Sequence, residues 1–214
     1  MMEIKKNITT KNFNVGNINR IKYIVIHFTA NNGDTALGNT NYFKEYRGSS
    51  AHYFVDENNI YQSVEDKNIA WHCGANKYKH SYCRNTNSLG IELCSRKDSN
   101  GKYYFKDKTV ENAVELVKML MTKYNVPATN VIRHYDVTGK NCPEPFVRNI
   151  KAWQNFKSRL EEKVVKQNIK IKGKIKTVDA INKDGYTYVK IRDLSDILNI
   201  GYDKDTKLIS VGVK

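Results

Sequence analysis

Apolar positions follow two spacings along this chain, and the alternation between them predicts its elements. The run IKYIVIHFTA (21–30) is short, apolar and β-branched, the composition of a buried central strand that ends at His27 beside a polar loop. TNYFKEYRG (40–48) predicts a short helix stopped by Gly48, and AHYFVDENNIYQSV (51–64) alternates, turns at its Asp-Glu-Asn-Asn cluster and alternates again as a hairpin. NSLGIELCS (87–95) predicts another strand, with Glu92 set between Ile91 and Leu93. Val110, Val114, Val117, Met121 and Tyr124 then recur at spacings of three and four, with Pro127 just beyond, so 109–124 is expected to be an amphipathic helix. NVIRH (130–134) predicts a short extended stretch delivering His134 to its end. Phe146, Ile150, Trp153, Phe156 and Leu160 share one face of a second packing helix over 145–160.

Strands mixed with helices, without a regular strand–helix repeat, predict a mixed β-sheet flanked by helices, an α/β protein of the α+β kind. A chain of 214 residues is longer than one compact domain needs and short for two full ones. At 161 the composition shifts to alternating lysine and apolar residues. The expected organisation is therefore a main domain over 1–160, a linker over 161–167, and a small α+β module over 168–214 built as strand, short helix and hairpin.

Charge narrows the partners without choosing among them. The balance of 36 basic to 22 acidic residues gives +14, which favours polyanions. Residues 161–214 hold 12 basic and 8 acidic residues, net +4, so the other +10 lies in 1–160. No helix-turn-helix, RNP-like or zinc-finger spacing is present, so nucleic acid is not the expected partner. The N-terminal residues lack the apolar core of a signal peptide, and no apolar run reaches 18 residues, which predicts synthesis in the cytoplasm and no membrane insertion. Cys73, Cys83, Cys94 and Cys142 form no CxxC pair, so cysteine is expected to serve metal binding rather than a disulfide framework.

Five residues end a strand or interrupt an apolar run: His27, His52, Glu92, His134 and Cys142. Any one alone reads as an ordinary core or surface residue, and RHYDVTGKNCPEP (133–145) alone reads equally as a polar turn with an incidental thiol. Together, His27, His134 and Cys142 supply the three protein ligands that a catalytic zinc takes, with a fourth position left for water. A carboxylate inside an apolar strand, as at Glu92, is costly unless it is paired or working.

The segments YIVIHFTA, SSAHYFVDENNIYQSV, AWHCG, NSLGIELCS and RHYDVTGKNCPEP, in this order and spacing, resemble the zinc-dependent N-acetylmuramoyl-L-alanine amidases, a family also similar to peptidoglycan recognition proteins. The resemblance covers about 18–160. It implies a zinc ion held by His27, His134 and Cys142, with Lys140 and Glu92 as catalytic groups. His52 departs from relatives that carry a tyrosine there; it is expected either to share in proton transfer or to line the cleft, and Trp71 and His72 to shape the cleft wall or touch substrate. The implied activity is a peptidoglycan hydrolase of the phage endolysin or autolysin type, cleaving between N-acetylmuramic acid and L-alanine and reaching the wall of a Gram-positive host after release. A non-catalytic peptidoglycan-binding recognition protein is the alternative. Residues 168–214 resemble small repeats of cell-wall-associated proteins, which implies a wall-binding module, with anionic wall polymers as further partners; a structural extension of the main domain is the other reading.

Overall fold

The structure is a computed structural model that describes residues 3–161, 164–171, 173–183 and 186–213. It separates into two compact units, Met1–Leu160 and Glu161–Lys214.

The first unit is organised by one six-stranded sheet. Its strands are β1 (Ile4–Lys6), β2 (Tyr23–Phe28), β3 (Tyr53–Val55), β4 (Ile60–Gln62), β5 (Ser88–Leu93) and β6 (Val131–Arg133), in the spatial order β1-β4-β3-β5-β2-β6. Only the hairpin pair β3/β4 is antiparallel; β5, β2 and β6 run parallel at the other side of the sheet. Successive strand side chains point to opposite faces, and that parity divides the sheet's work. Ile24, Ile26, Leu89, Ile91 and Leu93 face one side. There they pack against Ala113, Val117 and Leu120 of α2 (Asp107–Tyr124) and Trp153 and Phe156 of a later helix. Val25, His27, Gly90 and Glu92 occupy the intervening positions and so face the other way.

Two helices differ from expectation. The first, α1, spans Ala36–Tyr42 rather than 40–48, capped by Thr35 Oγ1 accepting from Gly38 N at 3.0 Å. Beyond Tyr42 the backbone is met by Asn12 instead of by a helical ladder: its amide donates to the Phe43 and Glu45 carbonyls and accepts from Arg47 N. The helix expected over 145–160 is two, α4 (Glu144–Arg148) and α5 (Ile150–Ser158), preceded by the short α3 (His134–Thr138). Asn149 is extended and its side chain accepts from Ala152 N, restarting the helix, which leaves Ile150 half exposed rather than in the core.

In the second unit, β7 (Val164–Ile171), β8 (Lys174–Lys183) and β9 (Tyr186–Val189) form an antiparallel sheet, and β10 (Leu198–Tyr202) pairs with β11 (Ile209–Val213). Val178, Leu194 and Leu198 form its small core. The linker expected over 161–167 lies partly outside the described residues, at 162 and 163, and Val164–Gln167 is already strand, because its alternating residues pair with Val178–Ile181. The expected short helix is a 3-10 turn, Ile191–Leu194; no α-helix occurs among the described residues of this unit.

Candidate active site

The carboxyl ends of three parallel strands meet at one point. His27 and Glu92 are register partners across β2 and β5, and Arg133, the last residue of β6, pairs with Ile26. His134 therefore starts α3 directly beside His27, their ring centroids 4.6 Å apart. The chain turns after α3 at Gly139, whose φ of +84° suits a residue without a Cβ, and returns Cys142 to the group through Tyr135 N donating to the Cys142 carbonyl at 2.7 Å. Crevices at the carboxyl ends of parallel strands are common ligand sites because diverging loops leave space there. Here a cleft of about 770 Å³ opens, lined among others by Gly48, Trp71, His72, His134, Gly139 and Lys140.

One ligand atom each from His27, His134 and Cys142 lies within 4.8 Å of the others, and all three residues are buried. Cys142 Sγ is 3.7 Å from His27 Nδ1. Burial, reinforced by His134 and His72, pushes His27 well below the usual imidazole range, and burial pushes His134 down to about 4. Both rings are thus neutral, the form in which imidazole offers a lone pair to a metal. Burial, with Glu92 adding to it, pushes the Cys142 thiol up to about 12. Two imidazoles and a sulfur at these separations fit the donor set of a tetrahedral zinc site with one open position.

Glu92 lies against this group, Oε1 4.0 Å from His27 Nδ1, while Oε2 is buried with no hydrogen-bond partner among the described residues. Burial pushes its carboxyl up to about 8, and the Lys140 charge pulls against that shift. Lys140 is exposed on the cleft wall, its charge acting on His27, His134 and Cys142 as well.

His52 is placed differently. It is fully buried behind the cleft: Gly90 N donates to its Nδ1 at 3.0 Å, and its Nε2 donates to the Asn68 carbonyl at 3.1 Å. With both nitrogens engaged by backbone, His52 scaffolds strand β5 and presents no free atom to the cleft. Trp71 and His72 both line the cleft. Cys73 and Cys83 pack with Val25 and Val137, and Cys94 with Ala36, Ala51 and Phe54, none of them in the candidate metal group of His27, His134 and Cys142.

Residues 17–145 match the family described as N-acetylmuramoyl-L-alanine amidase. The chain belongs to that family. Among its members, a probable N-acetylmuramoyl-L-alanine amidase of Bacillus licheniformis is 35% identical over 160 residues, covering 71% of this chain and 44% of the relative. The chain spans less than half the length of this relative and of a second Bacillus licheniformis amidase, CwlL. Solved family structures agree with the fold. A mutant endolysin from Bacillus subtilis superposes with a TM-score of 0.62 at 31% identity, over 75% of this chain and all of that one. The family member AmiD of Escherichia coli superposes at 0.52 with 26% identity, over 65% of this chain and 57% of that one; its structure is a complex with the substrate anhydro-N-acetylmuramic acid-L-Ala-D-gamma-Glu-L-Lys.

Proposed function

We propose that this chain is a zinc-dependent peptidoglycan hydrolase that cleaves the amide between N-acetylmuramic acid and L-alanine. The observation that carries the reading is the convergence of His27, His134 and Cys142, with Glu92 beside them, at the strand ends of a chain that matches the amidase family from 17 to 145. His27, His134 and Cys142 hold the ion. Bound there, zinc supplies a Lewis acid that makes water nucleophilic near neutral pH and polarises an amide carbonyl. Glu92, with one oxygen unpartnered, orients the attacking water, takes its proton and passes a proton to the leaving amine of alanine. Lys140, on the open wall, stabilises the negative charge that builds on the amide oxygen. His52 holds the strand beneath and moves no proton.

No helix among the described residues is long and apolar enough to cross a membrane. With relatives from Bacillus, the Gram-positive cell wall is the proposed substrate, an endolysin-type release the proposed route to it, and residues 168–214 the proposed wall-binding module. The test is incubation of purified protein with Gram-positive peptidoglycan, with and without a zinc chelator, scoring new alanine amino groups and new reducing sugar ends. Chelator-sensitive release of alanine amino groups without reducing ends is expected. Wall binding with neither product would make the chain a recognition protein.

A further inference from the structure

The proposed chemistry leaves His72 without a task, yet its ring joins the candidate metal group to the peptide backbone. His27 Nε2 lies 3.0 Å from His72 Nδ1, His72 Nε2 lies 3.1 Å from Ser88 Oγ, and the Ser88 hydroxyl donates to the Arg84 carbonyl at 2.6 Å. All three side chains are buried. With one proton between each pair of contacting atoms, one placement of protons satisfies every member. A carbonyl has no proton to give, so the single hydroxyl proton of Ser88 points to Arg84, and Ser88 Oγ must accept from His72 Nε2. The lone pair of His72 is then on Nδ1, which requires His27 to donate from its Nε2. What remains on His27 is the lone pair of Nδ1, the atom that faces Cys142 Sγ at 3.7 Å.

We propose that His72 and Ser88 are positioning residues that carry the polarity of the Arg84 carbonyl through three hydrogen bonds and hold His27 in the one tautomer whose Nδ1 can ligate a metal. The proposal rests on the reading of His27 as a metal ligand. The surrounding fold keeps the relay in place. A Cβ on Gly90 would lie 2.5 Å from His72 Cγ, so the imidazole occupies space on β5 that only a glycine leaves open. Asn85 Oδ1 accepts from both His72 N and Cys73 N, at 3.1 and 2.8 Å, fixing the backbone that carries the ring. Without the relay both tautomers of His27 are accessible, and the one with its proton on Nδ1 must be converted before ligation. Loss of such a supporting partner lowers metal affinity about 10–100-fold.

Two measurements on the full chain test this. Long-range proton–nitrogen spectra of the metal-free wild type at pH 7 should show His27 protonated on Nε2 and bare on Nδ1. Competition for zinc against a chelator of known affinity should show Ser88→Ala binding about 10–100-fold more weakly than the wild type, with the His27 tautomers mixed in its spectrum. A wild-type His27 carrying its proton on Nδ1, or a folded Ser88→Ala chain that binds zinc as tightly as the wild type, overturns the relay. A wild type that takes up no zinc overturns the ligand assignment instead, and its tautomer spectrum still decides whether the relay exists.

Discussion

Cys142 and Glu92 sit within one small group, and the proposed chemistry gives them opposite dependencies. Cys142 is the one sulfur among the three ligand candidates, so Cys142→Ser should weaken zinc binding by more than the roughly 10–100-fold that loss of a supporting partner costs. Equilibrium dialysis with metal analysis reads this directly, and full zinc stoichiometry at low free metal would remove Cys142 from the ligand set. Glu92→Gln keeps shape and leaves the three ligands alone. It should retain zinc and lose turnover by about 10²–10⁴-fold; turnover equal to wild type would take Glu92 out of the mechanism. The meeting of His27, His134 and Cys142 was legible in the chain, because two of them end apolar strand runs and the third lies eight residues past His134 in a turn-rich segment. The burial of His52 and the His72–Ser88 contact were not. Both depend on main-chain groups, the Gly90 amide and the Asn68 and Arg84 carbonyls, whose positions leave no trace in residue type. One signal was available: a glycine inside the apolar strand Ser88–Leu93 marks a close approach by another group.

Between elements, Asp66 ties the β3/β4 hairpin to the end of α2. Its carboxylate accepts from Tyr53 at 2.5 Å, Gln62 at 3.0 Å and Lys123 at 3.1 Å, and also from the Tyr124 hydroxyl. Burial and then the bond to Asp66 push the Tyr124 hydroxyl up to about 12, and Tyr53 is pushed up further for the same reasons. The folded chain therefore holds the Tyr124 proton more tightly than the unfolded chain does. That stabilisation is complete below about pH 10, the ordinary tyrosine value, and is lost between about pH 10 and 12 as the unfolded state deprotonates first. Tyr124→Phe should be less stable by about 1 kcal/mol at neutral pH and flatter in its alkaline decline, measured by urea unfolding at a series of pH values. An alkaline decline as steep as that of the wild type would show that the proton of Tyr124 does not couple to folding. Central elements of this unit were readable because their periods are unbroken: the strand 21–30 and the helix 109–124 stand where their apolar spacing placed them. The errors fall where a side chain competes for the backbone. Asn12 captures the carbonyls after Tyr42, and Asn149 restarts a helix in the middle of an apolar stripe that looked continuous.

Across the whole molecule, two units with separate cores both carry excess positive charge, +10 in residues 1–160 and +4 in 161–214. If the second unit binds the wall, deletion of 168–214 should reduce sedimentation with isolated cell walls while cleavage of soluble muropeptide persists. A truncated chain that no longer folds, or that binds walls as well as the full chain, would make the second unit a structural extension instead. The parity of the central sheet has a practical consequence for anyone wishing to harden this protein. Side chains that would be repacked for heat resistance, such as Val117, Leu120 and Phe156, lie on the helix side, while His27 and Glu92 lie on the other. Durability and the proposed chemistry can therefore be tuned on opposite sides of one layer of backbone, in separate rounds of substitution.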